Sequence, residues 1–172
     1  LCSEASASRN ASGVSAAIDP EHIRHVAERI AAVTMFCKRS SVIADAGASL
    51  LPGDDEIGLS ELVGPDRVGS RQFEVTREDV IAALRSGLFR SGGNPNRLTW
   101  GHWSYAEFLA ARYARTRGLT TEQQLSLLAQ TDVDGSIRIT PQLQDTAAWL
   151  ASMNPDLVSA VVRTDPQVLL RS

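Results

Sequence analysis

Apolar residues recur at Ile23, Val26, Ala27, Ile30, Ala31 and then Thr34 or Cys37, the spacing of one buried helical face. Asp19-Pro20 supplies the start, an N-cap residue followed by proline at the first helical position. From Ser40 to Asp55 the pattern loosens around Val42, Ile43, Leu50 and Leu51 and ends in the turn chemistry of Pro52-Gly53-Asp54-Asp55, which predicts a connection. Ile57 to Leu59 suits a short extended segment. Ser60 suits the cap of one helical turn through Glu61, Leu62 and Val63, with Gly64-Pro65 as its stop. Gln72-Phe73-Glu74-Val75 alternates as a half-buried strand or an extended lead-in does. Thr76-x-x-Asp79 opens a second long helix with Val80, Ile81, Leu84 and Leu88 inward, and Leu88–Arg90 and Arg97–Trp100 flank a polar, glycine-rich loop as the arms of a hairpin.

The densest stretch follows, Trp100 to Ala114. Ser104 and Glu107 stand at the spacing of a capping box, so the helix is expected to start there, with Tyr105, Phe108, Leu109, Tyr113 and the stem of Arg112 as its buried stripe. Ala110 and Ala111 thin the flank for close approach of another element. His102, with Trp100 and Trp103, sits just ahead of the start, where helix amides favour an anion. Beyond it, starts recur at short intervals: Thr120 with Gln123, Thr140-Pro141, Asn154-Pro155 and Asp165-Pro166. The apolar sets they open (Leu143, Ala147, Leu150; Leu157, Val158, Val161, Val162; Val168, Leu169, Leu170) are too short to bury their own faces and read as stacked helices at the beginning of an α-solenoid. The expected fold is therefore mainly α: residues 1–17 as a linker or frayed lead-in, 18–117 as a winged-helix-like domain with a small β-hairpin wing, and 118–172 as a helical repeat-like region.

Composition changes this picture little. The 172 residues are 43% hydrophobic, enough for a core, and the net charge of −3 gives no general attraction to nucleic acid or anionic lipid. Cys2 and Cys37 lack the spacing of zinc ligands or of a disulfide framework, so no metal is expected and a reducing cytoplasm is the plain reading. No run of 18 apolar residues occurs, and no membrane is expected. The opening at Leu1 and the apolar ending suggest a fragment of a larger protein.

No phosphate-binding loop, dinucleotide fingerprint, nucleophile elbow, His-Glu-x-x-His or kinase motif is present, and no catalytic residue is assigned. Asp132-Val133-Asp134-Gly135 lacks the glutamate and regular oxygen positions of a calcium loop and reads as a solvated turn. His22 and His25 read as surface or satisfied core histidines. Trp100, Trp103 and Trp149 read as core or interface. His102 is the one titratable group in a chemically suggestive place, with a corner-holding role as the plain alternative.

The run Leu98-Thr99-Trp100-Gly101-His102-Trp103-Ser104-Tyr105-Ala106-Glu107-Phe108-Leu109-Ala110-Ala111-Arg112-Tyr113 resembles the aromatic-x-His-x-x-x-x-Glu-Phe-x-Ala-Ala signature at the winged-helix end of NACHT proteins, signalling NTPases of the STAND class. Ala83 to Phe89 and Asp145 to Ala151 resemble the segments before and after it. The resemblance implies that His102 lies against the phosphates of ADP in the parent protein and senses nucleotide state, with Trp100, Ser104, Glu107, Phe108, Ala110 and Ala111 as the structural motif. It also implies ADP or ATP with Mg in the parent but none in this piece. The implied partners are an upstream NTPase core and downstream helical repeats, with oligomerisation of the parent and antiviral defence among the settings of such architectures. Two other readings stand beside it: a DNA-binding winged helix carrying Arg77, Arg85, Arg90 and Arg97, which the acidic balance disfavours, and a purely structural helical scaffold.

Overall fold

The computed structural model describes residues 19–44, 53–93, 96–133 and 135–170. Helix α1 (Pro20–Phe36) begins where Asp19 Oδ1 accepts the Glu21 amide at 3.0 Å. It is buried on more than one face: besides Val26, Ala27, Ile30, Ala31 and Thr34, it encloses His25, Glu28, Ala32 and Met35, while Cys37 just beyond it is exposed. The chain then forms β1 (Ser41–Ile43), β2 (Glu56–Gly58), the single turn α2 (Leu59–Leu62), a hairpin of β3 (Gly64–Val68) and β4 (Arg71–Val75), and α3 (Arg77–Leu84). A second hairpin, β5 (Phe89–Ser91) and β6 (Arg97–Trp100), leads into α4 (Trp103–Thr116).

Strands β2, β1, β6 and β5 lie side by side in that order, β1 parallel to β2 and the other neighbours antiparallel. The expected wing hairpin is thus half of a four-stranded sheet. β1 falls where a connection was expected; Leu50, Leu51 and Pro52 lie outside the described residues, as does the proposed lead-in at 1–17. Ser60 does not cap α2. Gly58 takes that place, its amide donating to Glu61 Oε1 at 2.8 Å. Gly64-Pro65 ends α2 as expected but also opens a strand: Gly64, at φ +114, pairs with Val75, and Pro65 sits on a two-stranded ribbon where a missing donor is tolerated.

After α4 come α5 (Thr121–Leu128), a third hairpin of β7 (Ala129–Thr131) and β8 (Ile137–Ile139), a 3-10 turn (Pro141–Leu143), α6 (Gln144–Met153), α7 (Pro155–Thr164) and a last 3-10 segment (Pro166–Leu170). The β7–β8 ribbon corrects the expectation of helices alone in 118–172. Thr120 and Gln123 cap α5 reciprocally, at 3.2 and 2.9 Å. Thr140 and Asn154 stand at their expected caps without side-chain capping bonds; Asn154 Nδ2 instead donates to buried Gln124 Oε1 at 2.8 Å. The fold is mainly α, and its apolar core runs without a break from Val26 on α1 to Val168 near the end. Helix α4 is central, packing on α1 along one side and α6 along another. No helix among the described residues is long and apolar enough to cross a membrane.

Candidate functional site at the start of helix α4

The corner between β6 and α4 is built from Trp100 outward. Trp100 is 4% exposed, stacks against Phe89 at 4.3 Å between ring centroids, and donates through Nε1 to Thr34 Oγ1 at 3.2 Å, which fixes the end of β6 to α1. Gly101 then donates its amide to Leu88 O at 2.7 Å, and a Cβ there would lie 3.2 Å from that same oxygen, so the close approach of two backbones calls for glycine. His102 is extended, at φ −139° and ψ 132°, and occupies the N-cap of α4.

The helix consequently starts at Trp103, and the expected capping box is not formed. Ser104 falls at the second helical position, and its hydroxyl shares a 2.7 Å hydrogen bond with His102 Nδ1. Where the hydroxyl donates to Nδ1, the proton resides on Nε2 of the exposed ring, an outward donor. The ring is exposed and lies 5.8 Å from that of Tyr105. Glu107, released from capping, is half-buried: burial pushes its carboxyl above the ordinary glutamate range, the charge of Asp145 on α6 pushes the same way, and His102 opposes both.

The buried stripe of α4 also differs from the expectation. Ala106, Leu109, Ala110, Ala111 and Ala114 are buried, whereas Tyr105 is 47% exposed and Phe108, Arg112 and Tyr113 are half-buried. Alanines face inward because α4 lies between two helices, where small side chains permit close approach and large ones are driven to the margins. At one margin Phe108 meets Trp149 edge to face at 5.3 Å; of the three tryptophans, only Trp100 is core, Trp103 being 46% and Trp149 43% exposed.

A buried ionic network holds the other end of α4, and nothing in the sequence pattern marked it. Glu28, with no exposed surface, accepts from Arg112 Nε at 3.0 Å and Arg117 Nη1 at 3.3 Å, and shares a 3.2 Å bond with His25 Nδ1. Arg117 also binds both oxygens of Asp66 on β3, at 3.0 and 3.1 Å, and lies 4.3 Å over the Tyr113 ring. Arg29 donates to Val63 O and Pro65 O, 3.1 and 2.9 Å away. These groups tie α1, β3 and α4 together. Burial, and secondarily Asp66, raise the Tyr113 hydroxyl above its usual range, with Arg117 and Arg29 opposing. His22 completes this side by pairing with Asp79 at 3.1 Å, and both histidines of α1 flank Phe73, so each is engaged structurally.

The arginines considered for DNA do not act alike. Arg77 and Arg85 border a cleft of about 560 Å³ between α3 and the sheet, floored by Ile81, Leu84 and Leu98. Arg97 on β6 is ion-paired with Glu56 on β2, past the intervening β1, and Arg90 is exposed on β5. Among the described residues no group of three or more His, Cys, Asp or Glu side chains could hold a metal ion. No protein-family model, curated protein or solved structure matches the chain.

Proposed function

We propose that this chain is a non-catalytic regulatory segment of a NACHT-type STAND NTPase, a winged-helix module that senses ADP or ATP through His102 and relays that state to a helical scaffold in a cytoplasmic signalling protein of the antiviral-defence kind. The observation that carries the reading is the placement of an exposed imidazole at the N-cap of α4, in a run that resembles the family signature. Its chemistry suits the role: an Nε2–H donor at the positive, N-terminal end of a helix favours a diphosphate, and a domain movement would withdraw it. The ligand-binding loop and Mg-binding acids would come from the parent's NTPase core. The pairing of Arg97 with Glu56 removes one wing arginine from the DNA-binding alternative.

The purely structural reading is favoured by one observation, the His102–Ser104 hydrogen bond, which is what a corner-holding histidine makes. The two are separated in the full-length natural polypeptide. His102→Ala should release copurifying ADP ~10- to 100-fold faster, the loss of one hydrogen bond to a charged group, and leave the melting temperature within a degree or two. Unchanged ADP retention with a lowered melting temperature would refute nucleotide sensing and establish the corner role, and a parent without a phosphate-binding loop would refute it outright.

A further inference from the structure

Helices α4 and α6 begin at the same end of the molecule and advance together, since Phe108 meets Trp149 edge to face and Arg115 Nε donates to Met153 O at 3.1 Å near their far ends; this places Glu107, next to Phe108, and Asp145, one turn before Trp149, on the same seam. At the shared start, two short columns line the seam. On α4 Trp103 stands one turn before Glu107, and on α6 Asp145 stands one turn before Trp149. Both indoles are close to half exposed, an unusual outlay of aromatic surface in a chain with three tryptophans. Neither carboxylate has an ion pair among the described residues, and the charge of Asp145 acts on Glu107, with His102 opposing it.

We infer that this seam, Trp103 and Glu107 on α4 with Asp145 and Trp149 on α6, is a docking surface for an arginine-bearing segment of a partner protein. Charge complementarity selects the partner. Two like charges held near one another are relieved by a cation placed between them, and an aromatic face on either side adds a cation–π contact. A planar guanidinium meets both demands together, because it bonds carboxylates along its edge while stacking through its face, whereas an ammonium does only the first well. An acidic or purely aliphatic segment would bury Glu107 and Asp145 without compensation. The inference does not depend on nucleotide sensing. It leaves His102 in place and concerns residues further along the helices.

The test uses the whole 172-residue chain and a capped twelve-residue alanine–leucine peptide with arginines on one helical face, alongside versions with lysine or glutamate in their place. Binding is followed by calorimetry and by tryptophan emission. The arginine peptide should bind, shift the emission and outcompete the lysine peptide severalfold, with the glutamate peptide silent. Glu107→Gln with Asp145→Asn should weaken it at least tenfold, and Trp103→Ala or Trp149→Ala should weaken it as well, while Glu122→Gln, at an exposed position of α5, should not. Circular dichroism melts of each variant establish that it is folded. The inference is overturned if the arginine peptide fails to bind at millimolar concentration, if the lysine peptide binds equally well, or if Glu122→Gln weakens binding as much as the paired substitution. It is also overturned if sedimentation shows the face occupied by a second copy of the chain, as a dimer lost in Trp103→Ala and Trp149→Ala.

Discussion

Replacing Glu28 should be among the most costly single changes in this protein. Its carboxylate has no exposed surface and is the common acceptor for Arg112, Arg117 and His25, on two helices. Glu28→Ala removes the charge and leaves the Arg117 guanidinium, whose side chain is 5% exposed, with Asp66 as its remaining carboxylate. Breaking a buried pair from one side costs ~3–5 kcal/mol, since the stranded charge keeps its desolvation penalty. In a domain of this size each kcal/mol moves the midpoint by ~2–4 °C, so the melting temperature should fall by ~6–20 °C. Glu28→Gln keeps the volume and one acceptor and should lose ~1.5–3 kcal/mol, the worth of a hydrogen bond to a charged group. Arg24→Ala is the internal control. Arg24 approaches the same carboxylate at 3.7 Å but is 44% exposed, and its loss should cost at most ~1 kcal/mol. Urea unfolding followed by far-ultraviolet circular dichroism supplies all three values, with an unchanged slope as the condition for comparing midpoints. If Glu28→Ala and Arg24→Ala lose the same small amount, the carboxylate does not bear the network and the argument from burial fails.

Three further outcomes follow from local geometry. The raised carboxyl of Glu107 favours its neutral form, so the stability linked to it is present below the ordinary glutamate value and lost as pH rises through the folded one. Glu107→Gln should therefore be at least as stable as the parent at pH 7, and Asp145→Asn should lower the Glu107 midpoint in a carboxyl NMR titration; a midpoint that stays put or climbs would contradict the action of the Asp145 charge on Glu107. Asp79 behaves in the opposite sense: burial pushes its carboxyl up, but the Thr76 amide and hydroxyl and His22 outweigh this and hold it low. Its stabilisation is present above the ordinary aspartate value and lost as pH falls through the folded one. Thr76→Ala, which removes the hydroxyl that accepts the Asp79 amide, should cost ~1 kcal/mol at neutral pH and less in acid, as pH-dependent thermal melts would show. Finally, Gly101→Ala should cost ~1–3 kcal/mol because its Cβ meets the Leu88 carbonyl oxygen, while Gly87→Ala, with open space around it, should stay within about 0.5 kcal/mol; equal melts for the two would refute the tight corner.

The helix starts were legible where their chemistry is local. Asp19-Pro20, Thr76 with Asp79 and Thr120 with Gln123 all form the caps their spacing predicts, because each needs only residues within one turn. The same spacing rule fails at Ser104 and Glu107, where the tight β6 corner makes His102 the N-cap, starts the helix two residues earlier, and gives the serine hydroxyl to the imidazole. Burial on α4 departs from the stripe its periodicity predicts because that pattern weights large side chains, whereas packing between α1 and α6 rewards alanine. The ionic network was illegible for a different reason. Glu28 and Arg117 are 89 residues apart and Arg117 and Asp66 are 51 apart, and each alone has the appearance of a solvated charge. The β7–β8 ribbon leaves no mark in the sequence pattern because its strands are three residues long and mostly exposed, too short for alternation to show.

The distribution of these features along α4 limits how it could work as a relay. Arg112 and Arg117 bind its C-terminal half to α1 and β3 through the buried carboxylates of Glu28 and Asp66, while its N-terminal end presents His102, Trp103 and Tyr105 to solvent. A ligand at the exposed end could bend or slide α4 only by separating Glu28 from two guanidinium groups, a cost of several kcal/mol that a single imidazole contact does not supply. On the proposed function, then, nucleotide exchange would carry α1, α4 and the β3–β4 hairpin together as one body and place the hinge elsewhere in the parent. Amide exchange comparing ADP- and ATP-bound full-length protein should accordingly find equal protection at Ala110, Ala111 and Ala114 in both states; a large difference there would mean that the network opens during the switch and that α4 itself is the moving part.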